Sequence, residues 1–207
     1  MSTAVLIPTD QLTDFHDACV ARRDWARAGA ARFENGLWQF IELNHRYNNL
    51  LWDEEDLARR REVADAEIAA NKRAIDGYNQ KRNDAIERID EILLSALPPA
   101  TPSATCRLNS ETAGSMIDRL SIVALKIFHM GLQTQRSDAS AEHIASCQAK
   151  LERLREQRDD LACCLRELLE DFAAGRRYYK VYRQFKMYND ATLNPFLYGA
   201  GTAAGAG

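Results

Sequence analysis

Two arginines interrupt apolar stripes of the sequence, in which apolar residues recur every three or four positions and so share one face of a helix. In the stretch "YNQKRNDAI", Asn79 and Arg82 fall where the three- and four-residue spacing calls for Ile or Leu, and Arg158 interrupts a second such line. A buried guanidinium is costly unless an anion pairs with it. The sequence therefore predicts a polar site inside a helical protein.

Other segments carry polar residues at spacings that place them on one helix face. The stretch "NHRYNNLLWDEED" combines His, Asn, Trp and acids, and the segment around Lys126 adds further cations. Arg and Lys in such a cluster bind carboxylate or phosphate groups. The candidate ligand-binding residues are His45, Asn48, Glu55, Asp56, Asn79, Arg82, Asp118, Arg119, Lys126 and Arg158.

Two hypotheses for this cluster are that it binds or acts on a small anionic metabolite, or that it is a self-paired network. In the second case, the polar residues specify helix register and assembly in a scaffold or adaptor protein. The sequence assigns no catalytic residue and no cofactor, and leaves open whether the chain is an enzyme.

A metal-dependent enzyme is the third and weakest hypothesis. Glu42 and His45 have the E-x-x-H spacing of di-iron bundles, and Glu55 and Asp56 are further candidate ligands. Those sites need the motif twice, and Lys126 stands where the second Glu would be. The prediction is therefore no metal.

Motifs of several enzyme classes are missing from the sequence. It contains neither a G-x-G-x-x-G nor a Walker phosphate loop, and no Ser or Cys stands in a nucleophile elbow. Thr112 and Gly114 in "ETAGS" predict a capped helix start, with an anion site there as the weaker alternative.

Composition indicates a helical protein of one domain. The 207 residues are 46% hydrophobic and 28% charged, and the five cysteines show no C-x-x-C spacing, so we expect reduced thiols. The beginning "MSTAVLIPTDQL" lacks the features of a secretory signal, and no segment reads as a membrane span. We expect a cytoplasmic protein, and a homo-oligomer is compatible with the sequence.

Apolar periodicity predicts an all-α fold, a long antiparallel bundle of four to five helices without strands. We expect helices over about 10–28, 33–60, 65–96, 112–130 and 138–175. Paired prolines place a loop at 95–109. The bundle domain is expected to span 1–198, followed by a disordered tail at 199–207.

Residues 176–190 form a basic and aromatic segment. It has five basic residues and one acid, and the rest of the chain carries a net charge of −7. We expect a short C-terminal helix whose aromatic rings pack on the bundle. Stacking of single-stranded nucleic acid is the less favoured alternative.

Three strings of the sequence are similar to those of a known family. "HRYNNLLWDEEDLARR", "LNSETAGSMIDRLSIVALKIFHM" and "YRQFKMYNDATLNP" resemble the bacterial family called domain of unknown function 4254, over roughly residues 35–196. Family members usually have "ETPG" where this chain has "ETAG". The resemblance implies an all-helical bacterial protein without assigned activity. Its context in glycan assembly points to a sugar phosphate or nucleotide sugar as the anion.

Overall fold

The fold is an all-α bundle, as predicted. The computed structural model describes residues 7–22, 24–96, 106–183 and 192–195. Within these ranges the elements are α1 (Thr9–Val20), α2 (Trp25–Ala28), α3 (Gly36–Leu57), α4 (Asp65–Ala96), β1 (Arg107–Leu108), α5 (Ala113–Thr134), α6 (Ala141–Ala173) and β2 (Arg177–Tyr178).

Two antiparallel helical hairpins, α3–α4 and α5–α6, build the bundle. The short connections at 58–64 and 135–140 require neighbouring helices to run in opposite directions. Helix α5 is the centre of the bundle because it contacts α1, α3, α4 and α6. It buries residues on most of its faces, among them Ile117, Leu120 and Leu125, each at most 1% exposed. Helices α3 and α5 run parallel to each other.

The predicted first helix over 10–28 is wrong as a continuous element. It ends at Val20, and the chain resumes as the short α2 after Asp24, whose φ of 54° is left-handed. Arg46 of α3 explains why the interrupted path is stable. Its Nη1 donates to the backbone oxygens of Trp25, Ala26 and Gly29 at 3.0–3.2 Å, which satisfies carbonyls at the end of α2.

Helix α6 ends at a glycine, which redirects the basic segment. Gly175 has a φ of +69°, and the N–H groups of Gly175 and Arg176 donate to the backbone oxygens of Phe172 and Asp171 in a Schellman arrangement. The chain then pairs β2 with β1 in parallel. The prediction of a helix from 176 onward is therefore wrong for residues 176–183, and so is the expectation of no strands.

The aromatic residues of this segment have different environments. Tyr179 is buried, with its ring centroid 5.2 Å from that of Phe172, whereas Tyr182 is 76% exposed. Residues 184–190 of the segment lie outside the described residues.

The predicted loop and tail fall largely on undescribed parts of the chain. Helix α4 continues through Ala96, and residues 97–105 of the loop lie outside the described residues, as does the tail 199–207. A single domain over 1–198 stays an expectation. None of the helices in the described ranges combines the length and apolar content needed to cross a bilayer.

Helices α4 and α5 approach closely at Gly114. The Gly114 N–H donates to Asp90 Oδ1 at 2.7 Å, and Thr112, the predicted cap, accepts from the Ser115 N–H at 3.1 Å. Burial raises the pKa of Asp90 to about 6, although the hydrogen bonds from Thr112 and Gly114 oppose the shift. Asp90 thus occupies the place that an external anion would take at this helix start.

At the next helix, α6, the N-cap residue is Ser140, so the predicted start at Asp138 is two residues early.

We predict that Gly114→Ala destabilises the protein by about 1–3 kcal/mol. The added Cβ would lie 2.7 Å from the backbone oxygen of Ile86 and 2.8 Å from Asp90 Oδ2, so backbone has to shift. Gly131→Ala, also in α5, is the matched control, because nothing lies within 4 Å of its added Cβ. It should be neutral or stabilise by up to about 1 kcal/mol. Urea unfolding measures both, and equal effects would contradict the close approach.

Candidate functional site

A buried hydrogen-bond relay connects α3 to α5. Asp118 Oδ1 accepts from the amide nitrogens of Asn44 and Asn48, each at 2.8 Å. Asn48 also donates to Ser121 Oγ at 3.0 Å, and Ser121 Oγ lies 2.7 Å from His45 Nδ1. His45 Nε2 then lies 3.1 Å from the backbone oxygen of His16 in α1. We call these five side chains the polar relay.

The direction of each bond in the polar relay follows from its last acceptor. A carbonyl only accepts, so His45 carries its proton on Nε2 and accepts from the Ser121 hydroxyl at Nδ1. A serine bonded to a neutral imidazole is the arrangement that activates nucleophiles. Both side chains have zero exposure, so no substrate can reach them in this conformation. His45 and Ser121 therefore link α3 to α5 without contact with solvent.

His16 of α1 lies against this relay. It is fully buried, and its ring centroid is 4.4 Å from that of His45. Neither ring nitrogen of His16 has a hydrogen-bond partner among the described residues. Burial lowers the pKa of His16 well below 6.5 and that of His45 to about 3, so both rings are neutral at pH 7.

Arg82, which motivated the search for an anion, lies at the edge of the polar relay. Its Nε is 3.9 Å from Asp118 Oδ1, beyond hydrogen-bond distance, and has no hydrogen-bond partner among the described residues. The side chain is 26% exposed. Arg82 is therefore near a negative charge and is also open to a cleft.

Three predicted site residues lie outside this cluster. Arg158 pairs with Asp17 of α1 at 2.7 Å, so its break in the α6 seam holds α1 in place. Arg119 is 45% exposed and pairs with Glu111 at 2.6 Å. Asn79 is half-buried on α4, with no bond to the polar relay. Arg119 and Arg158 thus pair away from Arg82, whereas Asn79 lies one turn before Arg82 on the same face of α4.

The four candidate metal ligands do not converge. The Glu42 carboxylate accepts from the backbone N–H groups of Arg32 and Phe33 at 2.9–3.0 Å and thus anchors the loop before α3. Both His45 nitrogens are occupied in the polar relay, and Glu55 and Asp56 lie further along α3. No group of three His, Cys, Asp or Glu side chains within the described ranges is placed to hold a metal ion.

Two clefts lie near the C-terminal end of α3 and have Trp52 and Asp56 in common. The smaller cleft has a volume of about 350 Å³. Trp52 and Arg59 line it together with four of the predicted site residues, Asn48, Glu55, Asp56 and Arg82. The larger cleft, of about 610 Å³, lies between α3, α5 and α6. Its polar lining includes Asp56, Lys126, His129, Lys150 and Arg153.

The two clefts differ in charge balance. Both cations of the smaller cleft have a carboxylate within 4 Å. Arg59 lies 3.3 Å from Glu55, and Arg82 lies 3.9 Å from Asp118. In the larger cleft, three cations face one acid, and neither Lys126 nor Lys150 has an ion-pair partner among the described residues. The larger cleft thus has an excess of positive charge.

His129 adds a flat surface to the larger cleft. It stacks on Trp52 with centroids 4.4 Å apart and ring planes 7° apart. Burial lowers the pKa of His129 from its usual 6.5, although Asp56 and Asp53 oppose this, so the ring is uncharged at pH 7.

The sequence analysis did not identify several residues of the relay region and of the larger cleft. Ser121, Asn44 and His16 belong to the relay region, and Lys150 and Arg153 belong to the larger cleft. Lys150 and Arg153 are three residues apart and flank the apolar seam of α6. That spacing was a readable signal, whereas nothing in the sequence marks Ser121 as polar core.

Comparison with known proteins identifies a family but no activity. The profile of a family described as "Protein of unknown function (DUF4254)" matches residues 38–181. That range includes α4 and α5, both clefts and the polar relay except for the backbone contact with α1. No curated protein and no solved structure matches the chain.

The two neighbouring histidines, His16 and His45, should respond differently to the same substitution. His45→Leu leaves Ser121 and the His16 carbonyl without their partner and should cost about 1–3 kcal/mol. His16→Leu removes ring nitrogens that have no partner among the described residues and should leave stability unchanged or raise it. Urea unfolding at pH 7 measures both, and equal destabilisation would contradict the assigned bonds.

Asp90 and the buried histidines should affect acid stability in opposite directions. Because folding lowers the pKa of His16 and His45, stability is lost as pH falls below 6.5. Because folding raises the pKa of Asp90 from 3.8 to about 6, its protonation stabilises the fold as pH falls through that interval.

We therefore predict that Asp90→Asn loses stability more steeply than the parent between pH 6 and 4. The difference should reach up to about 1.4 kcal/mol per pH unit. Urea unfolding at several pH values provides the slopes. Asp84→Asn, at an exposed position of α4, is the control and should keep the parent slope. Equal slopes for Asp90→Asn and the parent would refute the assignment.

Proposed function

Since the chain belongs to the family described as "Protein of unknown function (DUF4254)", we propose its function from the site: the larger cleft binds a small anionic metabolite. The observation that carries this proposal is the charge of the lining. Lys126, Lys150 and Arg153 face a cleft in which Asp56 is the one acid among the described lining residues. Two lysines without carboxylate partners among the described residues, at the rim of an apolar cleft, favour a ligand with a phosphate or carboxylate group.

The site includes only part of the predicted cluster. Lys126 and Asp56 line the larger cleft, while Arg82, Asn48 and Glu55 line the neighbouring smaller one. A ligand that passes Trp52 would contact both sets. We propose a sugar phosphate or nucleotide sugar as the ligand class, in a bacterium and in the context of glycan synthesis, as the family resemblance implies. We further propose that the protein acts in the cytoplasm. No reaction is assigned to the site.

A scaffold or adaptor role is the second candidate, and one observation favours it. The polar relay joins α3 to α5 through bonds of 2.7–3.0 Å between its own members, and Asn44 Oδ1 is its one buried side-chain oxygen or nitrogen without a partner among the described residues. Buried polar residues of this kind specify helix register. This role needs no small ligand. The two candidates therefore differ in whether neutralising the cations of the larger cleft removes anion binding.

We predict that ribose 5-phosphate and inorganic pyrophosphate bind to the parent protein at low salt. A Lys126→Gln/Lys150→Gln double variant should weaken binding about a hundredfold or more, because it removes two charge-assisted contacts of about 1.5–3 kcal/mol each. Isothermal titration calorimetry provides the dissociation constants.

Arg155→Gln is the matched control, an exposed cation of α6 that does not line the larger cleft. Its binding should equal that of the parent. No binding by the parent, or equal weakening in the control, would refute the proposal and favour the scaffold role.

A further inference from the structure

The stacked pair Trp52–His129 forms a wall of the larger cleft. The two rings are parallel within 7°, and both line this cleft, while Trp52 also lines the smaller one. Both side chains are half-buried, so they present ring surface without being enclosed. An uncharged imidazole on an indole is a flat, polarisable surface to which another ring can pack.

The rest of the larger cleft is apolar beneath its charged rim. Met130 and Leu154 lie among the lining residues with the two rings. Thioether and aliphatic side chains make favourable contacts with aromatic ligands. A ligand of phosphate alone would use the cations and leave this surface in contact with water, which is unfavourable for the apolar lining.

The volume of the larger cleft also exceeds what a bare anion fills. At about 610 Å³ it lies within the range of pockets that enclose organic ligands of drug size. The cations and the ring pair line the same cleft, so one molecule of that size can contact both.

We infer that the anion bound in the larger cleft carries a planar aromatic ring, which packs on the Trp52–His129 pair while its acidic group contacts Lys126 and Lys150. This inference rests on the proposed function and narrows its ligand class to ring-bearing anions such as nucleotides. Stacking of a base on an aromatic side chain strengthens binding by about tenfold.

The test compares two kinds of ligand that differ by the base alone. Calorimetry measures the dissociation constants of ribose 5-phosphate and of the 5′-monophosphates of adenosine, guanosine, cytidine and uridine. The tightest monophosphate should bind about tenfold more tightly than ribose 5-phosphate. Lys126→Gln/Lys150→Gln should weaken both kinds of ligand, because the phosphate is common to them.

Variants of Trp52 and His129 test whether these two rings cause the tighter binding of the monophosphate. Trp52→Leu and His129→Leu should each reduce the preference for the monophosphate and leave ribose 5-phosphate binding within about twofold. Trp52→Phe keeps a ring and should retain the preference, which separates stacking from a general loss of structure. Trp38→Leu, another half-buried tryptophan of α3 away from both clefts, is the matched control.

The outcomes separate this inference from the proposed function. If ribose 5-phosphate binds as tightly as every monophosphate, or if the preference survives in both Trp52→Leu and His129→Leu, the ring inference is wrong and the anion site stands. If none of these ligands binds to the parent, both are wrong.

Discussion

The polar relay joins α3 to α5 in the alignment on which the rest of the site depends. His45 of α3 meets Ser121 of α5, and because the two helices run parallel, Trp52 meets His129 two turns further along both. Seven residues of helix advance about 10.5 Å, so a slip of one turn would separate the rings. Buried polar groups resist such a slip because every misaligned donor would lose its acceptor.

The two halves of α3 have different surroundings. Its first half is held from the side by the chain's own loops, since Glu42 binds the backbone at residues 32–33 and Arg46 binds the end of α2. Its second half borders the two clefts, where charged side chains meet open space. The helix thus extends from a hydrogen-bonded interior to a surface with surplus positive charge, and it would hold the proposed binding site on a rigid element.

The comparison of sequence with structure shows which inferences transfer. The apolar line of α6 that Arg158 interrupts was largely readable from the sequence, since Cys147, Leu151, Leu165 and Phe172 are buried, while Ile144 and Leu154 on the same line are half-buried. Arg158, the charged residue in this apolar line, was correctly predicted to pair with an anion. Its partner, Asp17, is 141 residues away, so no local pattern could identify it. The helix predicted from residue 176 was wrong over residues 176–183 because backbone bonds to a distant strand outweighed a local amphipathic pattern.

From periodicity, capping residues and composition, the sequence alone determined an all-α bundle, most of its helix positions and the presence of buried polar residues. Those properties depend on side-chain spacing within one segment, so they can be read locally. Only the tertiary structure decided which polar residues satisfy one another and which face a cleft. Such pairings depend on the relative register of separate helices, and that register is set by packing across the whole bundle.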